Sequence, residues 1–209
     1  MKLSSLLACF SVLILSPVLS AQSDPLLDRV WDSIQQTQKT FANACGSLTE
    51  TRTSKLMSKP MVLHGKFCAE GMNRFSLEYS APNAMRIRFN TDYLNVTTSD
   101  GKTEILDIGS GVRHVQSEFS RESSLPGLKK NFAIEVHETA REYELKLSPR
   151  SDIFRKRINL LVVRFSKRNF LPDYLQVEGR NGVSSVFEMD YTSFNTHLPE
   201  AEFEVRKKR

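Results

Sequence analysis

The chain contains no motif for catalysis or for metal binding. No Gly-x-Ser-x-Gly turn, phosphate-binding loop or metal-ligand spacing occurs in its 209 residues. Its four histidines, His64, His114, His137 and His197, are far apart along the sequence. Histidines scattered in this way are usually surface residues or satisfied core residues. We therefore expect a protein that is not an enzyme, with no catalytic residue, no metal site and no cofactor.

Compositional extremes are also absent. Charged residues make up 25% of the chain and apolar residues 40%, which is typical of a globular protein of one domain. No low-complexity tract or fixed-period repeat occurs. The net charge of +5 is a mild excess, too weak to indicate nucleic-acid binding. We expect a monomer that binds no nucleic acid.

The N-terminus has the form of a secretory signal peptide. Lys2 gives a short basic start, an apolar run follows at 3–19, and small residues up to Ala21 offer a cleavage site. The run is too short and too weakly apolar for a good membrane span, although an uncleaved anchor is the alternative. We predict a signal peptide at 1–21, export to the periplasm, and a single domain at 22–209.

Cysteine is scarce, with three residues in the chain. Cys9 lies in the leader, which leaves Cys45 and Cys68 in the mature protein. An even number of cysteines in an exported chain favours a disulfide. The two would lie almost opposite each other if their strands pair across the turn at 58–60. Two buried free thiols are the alternative.

Strand periodicity runs through most of the mature chain. Phe75, Leu77 and Tyr79 alternate with polar residues, as in one strand of a half-buried antiparallel sheet. The first strand is rich in Thr and Ser, which predicts an exposed or edge strand. We predict about eleven strands, at 47–57, 61–68, 74–79, 85–90, 93–98, 103–108, 132–137, 143–147, 158–165, 171–178 and 183–191.

One clear helix precedes the strands. Asp24 is a good N-cap and Pro25 suits the first helical position. Apolar residues then recur at helical spacing, and we expect the helix to end near 44–46. The alternation stops at 109–130, which predicts a short helical cover over the sheet. Consecutive hairpins favour an up-and-down meander around a pocket, which alternation alone leaves either empty or filled.

Several short motifs resemble the outer-membrane lipoprotein carrier family, the LolA-like proteins. Their order and spacing carry the resemblance more than any single one does. They are an amphipathic helix ending in Phe41, Gly65-x-Phe67, Arg74-Phe75-x-Leu77-Glu78-Tyr79-x-x-Pro82, Tyr143-x-Leu145-x-Leu147-x-Pro149, Leu171–Gly179 with Gly182, and Asn195-x-x-Leu198-Pro199-x-x-x-Phe203.

The resemblance implies a mainly β fold: a strongly curved, unclosed antiparallel half-barrel with an N-terminal helix and a short helical lid. It also implies a periplasmic carrier that shields the acyl chains of lipoproteins or other lipids. Its partners would be an inner-membrane transporter as donor and an outer-membrane acceptor. Release would follow movement of the cover at 109–130. A non-catalytic envelope sensor or regulatory domain on the same fold is the alternative function.

The resemblance also suggests site residues. The apolar set could be an ordinary core or an acyl-binding cavity, and its members are Trp31, Phe67, Phe75, Leu77, Tyr79, Ile87, Phe89, Leu145, Phe187 and Met189. Ser76 stands where the family usually has an arginine that closes the lid, and Arg74, Arg86 or Arg88 are candidate substitutes. The densest basic region begins with four candidate residues for membrane or partner docking, Arg150, Arg155, Lys156 and Arg157; a solvated loop is the alternative.

Overall fold

The computed structural model describes residues 24–71, 74–90, 93–107 and 124–205. Three α-helices occur in these ranges: α1 (Pro25–Thr40), α2 (Leu125–Asn131) and α3 (Asp152–Arg155). A 3₁₀ helix follows at Glu200–Glu202. None of the helices in these ranges is long and apolar enough to cross a membrane.

Eleven strands of the described ranges form one antiparallel sheet. They are β1 (Asn43–Ser54), β2 (Met61–Glu70), β3 (Arg74–Tyr79), β4 (Met85–Phe89), β5 (Tyr93–Thr98), β6 (Thr103–Asp107), β7 (Phe132–Glu138), β8 (Glu142–Pro149), β9 (Ile158–Ser166), β10 (Pro172–Gly179) and β11 (Val183–Phe194). The sheet is unclosed, and its order is β6-β5-β4-β3-β2-β1-β11-β10-β9-β8-β7. The predicted count, the antiparallel class and the N-terminal helix are confirmed.

The position of β1 corrects the expectation of an exposed or edge strand. β1 lies in the middle of the sheet, paired with β2 on one side and with the last strand, β11, on the other. Ala44, Leu48 and Glu50 are buried on one face, and the Thr and Ser residues that suggested an edge alternate with them. The composition of β1 was therefore a poor guide, because the β1–β11 pair joins the two ends of the chain.

Helix α1 begins as predicted but ends earlier. The Asp24 carboxylate accepts hydrogen bonds from the backbone N–H groups of Leu26 and Leu27, and Pro25 follows it. The helix ends at Thr40, and β1 begins at Asn43. The predicted end near 44–46 was wrong because those residues already belong to the central strand, where pairing with two neighbours satisfies their backbone groups.

Two other expectations fall partly or wholly outside the described residues. The predicted signal peptide at 1–21 is one of them. Of the predicted cover at 109–130, the described part is α2, whose Lys129 ammonium lies 3.5 Å from the Asp28 carboxylate of α1. Helix α3 was predicted only as a connection between strands.

The cysteine pairing is confirmed. Cys45 of β1 and Cys68 of β2 are directly opposite in register, and their sulfurs form a disulfide between residues 23 positions apart. The bridge links β1, the first strand along the chain, to β2.

Buried apolar side chains form two clusters. The helix-covered cluster combines α1, α2 and α3 with β7 and β8, through Leu27, Val30, Ile34, Leu125, Leu128, Phe132, Leu145, Leu147 and Phe154. The strand cluster has buried members from strands alone: Leu48, Leu63, Phe67, Leu77 and Tyr79. Half-buried residues of β3, β4 and β11 pack against the strand cluster.

Candidate functional site

Strand register places both clusters on one side of the sheet, which we call the apolar face. Residues directly opposite each other in an antiparallel sheet share a face, and so do residues two apart in one strand. Tyr79 pairs with Gly65, Gly65 with Leu48, and Leu48 with Met189. The same alternation continues through Leu175, Val163, Leu145 and Val136. One apolar surface therefore crosses the sheet from β4 to β7.

Nine of the ten predicted acyl-binding residues lie on this face and the tenth, Trp31, is in α1; the set divides between the clusters. Trp31 and Leu145 belong to the helix-covered cluster. Phe89 is half-buried and lies opposite Phe75. The other seven belong to the strand cluster or pack against it: Phe67, Phe75, Leu77, Tyr79, Ile87, Phe187 and Met189.

Phe67 occupies the middle of the strand cluster. Its ring meets Tyr191 edge-on at 5.4 Å and stacks on Phe75 at 6.4 Å between centroids. Gly46 lies opposite it in β1. A Cβ at Gly46 would come within 3.0 Å of the Phe67 ring and 2.2 Å of the Asp190 carbonyl oxygen. Glycine at 46 therefore lets the ring lie against β1.

An ionic group interrupts the apolar face. The Glu50 side chain is 1% exposed and accepts hydrogen bonds from the Arg52 guanidinium, with Nη2 at 2.8 Å, and from the Tyr79 hydroxyl. Burial, followed by the hydrogen bond to Glu50, raises the pKa of Tyr79, so the phenol remains a donor. The buried charge is thus paired and hydrogen-bonded, as stability requires.

Sequence reasoning missed Glu50 and Arg52 although the signal was present. Leu48, Glu50 and Arg52 are two apart in β1, so a strand with Leu48 on the apolar face places the two charges there as well. The error followed from treating β1 as an edge strand. With β1 in the centre, its alternation identifies the polar group in the apolar face.

The C-terminal segment covers part of the opposite side, which we call the outer face. Phe203 is buried there, with the Arg74 guanidinium 4.8 Å from its ring centroid. Arg74 also pairs with Glu200 at 2.7 Å, and Arg88 Nε donates to the Glu202 carbonyl at 3.1 Å. These contacts fasten the segment across β3 and β4.

The outer face also holds the residues considered for lid control. Ser76 is buried between Cys68 and Arg88 in register, and Glu78 pairs with Arg86. Arg74, Arg86 and Arg88 alternate with the apolar side chains of β3 and β4, so all three lie on the outer face. They therefore share the face of Ser76, and their role as substitutes stays a prediction, whereas Arg52 lies on the apolar face.

A cavity of about 1120 Å³ lies beside this C-terminal segment. Its lining comes mainly from β5 and β6, together with Arg88, Ala201 and Glu204. Most of the side chains contributed by the strands, such as Asn95, Thr97 and Ile105, are on the outer face by register. This cavity is distinct from the predicted acyl-binding set.

The four predicted docking residues lie together in the connection from β8 to β9. Arg150, Arg155, Lys156 and Arg157 are exposed, and Arg155 pairs with Asp152 at 2.6 Å. Their docking role stays a prediction.

The later basic residues of the same region are elsewhere. Arg164 donates to Glu144 at 2.8 Å on the outer face. Lys167 and Arg168 follow β9 at the far end of the sheet, and Lys167 pairs with Glu138 at 2.6 Å.

Within the described ranges, no group of three or more His, Cys, Asp or Glu residues is arranged to hold a metal ion. The apolar face offers burial of hydrocarbon beside the ionic group of Glu50 and Arg52. A surface of this kind suits an amphiphile.

No protein-family model matches the chain, and no curated protein matches it. Solved structures do. An uncharacterized conserved protein from Thermus thermophilus has a TM-score of 0.51 at 11% identity, over 88% of this chain and 95% of that one. A LolA superfamily protein from Nitrosomonas europaea has a TM-score of 0.43 at 10% identity, over 85% and 97%. The Pseudomonas aeruginosa MucA/MucB complex gives 0.49 at 9% identity, over 85% and 60%.

At this identity the Thermus thermophilus match shows a shared fold and nothing more. The strand order and the N-terminal helix themselves confirm the architecture that the LolA-like resemblance implied: one unclosed antiparallel sheet of eleven strands, with short helices.

Proposed function

We propose that the protein is an exported, non-catalytic lipid-binding protein that shields acyl chains against the strand cluster of its apolar face. The observation that carries the proposal is the division of that face. One half is covered by α1, α2 and α3, whereas the buried members of the other half come only from strands. The half-buried side chains of that second half, such as Ile87 and Met189, offer apolar surface to a ligand.

The energetics favour hydrocarbon over a polar ligand. Each buried methylene contributes about 0.8 kcal/mol, so a long acyl chain needs no specific polar contact for useful affinity. The Arg52 guanidinium is about a third exposed while one edge is bound to Glu50. It can hydrogen-bond the polar end of an amphiphile whose tail lies over Phe67 and Ile87.

Export is part of the proposal. The disulfide between Cys45 and Cys68 suits an oxidising compartment such as the periplasm, and it agrees with the signal peptide expected at 1–21. In the finer form of the proposal, the protein receives an acylated lipid or lipoprotein from an inner-membrane transporter and passes it towards an outer-membrane acceptor. The LolA-like motifs of the sequence favour this finer role.

The test is lipid extraction and mass spectrometry of protein purified from the periplasm, followed by titration with a fluorescent fatty acid. We expect a stoichiometric acylated ligand and saturable binding. Bare protein that neither retains nor binds an acyl chain, while still binding a signalling partner, would favour a sensor domain instead.

A matched pair of variants locates the ligand. Ile87 lies on the apolar face and Ile105 on the outer face beside the large cavity, and both are half-buried on neighbouring parts of the sheet. Ile87→Ser should weaken acyl binding about tenfold, because one contributing aliphatic side chain is lost. Ile105→Ser should leave the affinity unchanged. Weaker binding by Ile105→Ser and unchanged binding by Ile87→Ser would place the ligand in the outer cavity.

A further inference from the structure

Among the described residues, four of the five large hydrophobic side chains that are most exposed lie at one end of the sheet. Leu56 is 97% exposed, Val62 50%, Ile153 48% and Met61 38%; the fifth, Phe194, is at the opposite end. Leu56 is in the turn between β1 and β2, which also contains Lys55 and Lys59. Single exposed apolar residues need no explanation, but four at one end of the molecule do.

Three of the connections at that end are neighbours by antiparallel register and backbone contacts. Ser54 at the end of β1 pairs with Val183 at the start of β11, so the β1–β2 and β10–β11 turns are neighbours. Gly179 at the end of β10 pairs with Ile158 at the start of β9. Backbone contacts then join the turn at 180–182 to the connection at 150–157, because Arg180 N–H donates to the Arg157 carbonyl at 2.9 Å. We call these three connections the tip surface.

The tip surface is strongly basic. The connections at 55–60, 150–157 and 180–182 contain one acidic residue, Asp152. They contain seven basic residues, all exposed: Lys55, Lys59, Arg150, Arg155, Lys156, Arg157 and Arg180. The excess of six positive charges exceeds the net +5 of the whole chain. Charge is therefore concentrated at the end that carries the exposed apolar residues.

Local structure holds the apolar residues outward. The Ser54 hydroxyl accepts a hydrogen bond from Leu56 N–H at 3.1 Å, and the Ser54 carbonyl accepts one from Met57 N–H at 3.1 Å. In α3, Phe154 is buried against Phe132 with 4.5 Å between ring centroids. With Phe154 anchored in the core, its neighbour Ile153 stays at the surface. Both apolar positions are thus fixed by folded structure.

We propose that the tip surface docks on an anionic phospholipid membrane, with Leu56 and Ile153 entering the interface and the surrounding lysines and arginines on the headgroups. In such a membrane, phosphate headgroups lie above acyl chains. The basic side chains can contact the phosphates while the apolar side chains among them enter the acyl layer. Met61 lies opposite Arg52 in register, so docking brings this end of the apolar face to the membrane. The docking itself needs no acyl ligand and stands independently of the proposed carrier role.

Tryptophan variants test insertion directly. The chain has one tryptophan, Trp31, which is half-buried on α1 and gives the background to subtract. Leu56→Trp should shift its emission to the blue on phosphatidylglycerol-containing vesicles and be quenched by brominated lipid. Phe194→Trp, at the opposite end, is the control and should show neither effect. Emission of Leu56→Trp that stays unchanged at saturating lipid, or equal quenching of both variants, would overturn the proposal.

A second measurement uses variants that remove a charge or an apolar side chain from the tip surface. Leu56→Ser should weaken partition into anionic vesicles about tenfold. Lys55→Gln and Lys156→Gln should each weaken it about fivefold, and Arg168→Gln at the far end should have no such effect. Binding that depends on the lysines while the residue at 56 remains in water would show electrostatic adsorption on the headgroups alone and would overturn the insertion. Fatty-acid binding in solution should be unchanged in all these variants, which separates this proposal from the acyl-binding site.

Discussion

The two halves of the apolar face are built from the same alternation but are buried in different ways. In the helix-covered half, α1 and α2 place Leu27, Val30 and Leu128 against β7 and β8, and residues of helices and strands are buried together. In the strand half, aromatic rings pack against one another beside a paired buried carboxylate. The comparison teaches that a single amphipathic sheet can provide a stabilising core and a candidate binding surface side by side.

Stability should therefore depend more on the helix-covered half. Phe132 is fully buried against Phe154, so Phe132→Ala should lower the free energy of unfolding by about 3–5 kcal/mol. Phe67→Ala should cost less, about 3 kcal/mol, because its half-exposed neighbours can close part of the cavity. Urea unfolding of both variants measures the difference. A larger loss for Phe67→Ala would reverse the comparison.

The disulfide should stabilise the strand half, whose buried residues come from strands alone. The Cys45→Ser/Cys68→Ser variant should lose about 3 kcal/mol of unfolding free energy, because the bridge restricts a loop of this length in the unfolded chain. Amide hydrogen exchange should increase most in β1, β2 and β3 and least in β7 and β8. Reduction of the wild-type protein should give the same result, and reductant should not affect the double variant. Exchange that increases uniformly would show that the halves unfold together.

The ionic group of the strand half gives a third contrast. Arg52→Met removes the cation from a carboxylate that is 1% exposed and should cost about 2 kcal/mol, allowing for the partial exposure of Arg52. Arg86→Met breaks the exposed pair with Glu78 and should cost no more than about 0.5 kcal/mol. The Glu50→Gln/Arg52→Met variant keeps an acceptor for Tyr79 and should recover part of the loss. Equal losses for Arg52→Met and Arg86→Met would contradict the buried-charge argument.

A modest effect, which depends on pH, is expected on the outer side of the helix-covered half. The hydrogen bond from Arg164 holds the pKa of Glu144 below its ordinary range. The folded pKa is thus below the unfolded value of about 4.3, so the pair stabilises the protein above that pH and the contribution is lost as the pH falls through the folded pKa. Glu144→Gln should cost at most about 1 kcal/mol at neutral pH, after allowance for solvent screening.

Chemical unfolding of the wild type and of Glu144→Gln across the acid range measures this dependence. The two curves should converge at low pH. A difference that persists unchanged below the ordinary carboxyl range would mean that packing, and not charge, explains the cost.

Local sequence determined the elements of this fold. The alternation of Phe75, Leu77 and Tyr79, the turn residues between strands and the Asp24-Pro25 start of α1 specify strands and a helix through contacts within a few residues. The same signals gave the direction of each side chain in β3 and β4, and they brought Cys45 opposite Cys68 once the first hairpin was assumed.

The tertiary structure alone decided where those elements lie. The β1–β11 pair, which makes a Thr-rich strand central and buries Glu50, joins residues more than a hundred positions apart, and no local pattern encodes such a pairing. The division of the apolar face into a helix-covered half and a strand half likewise depends on where α1 packs. Alternation specifies which side of a strand avoids water; only long-range contacts determine what covers it.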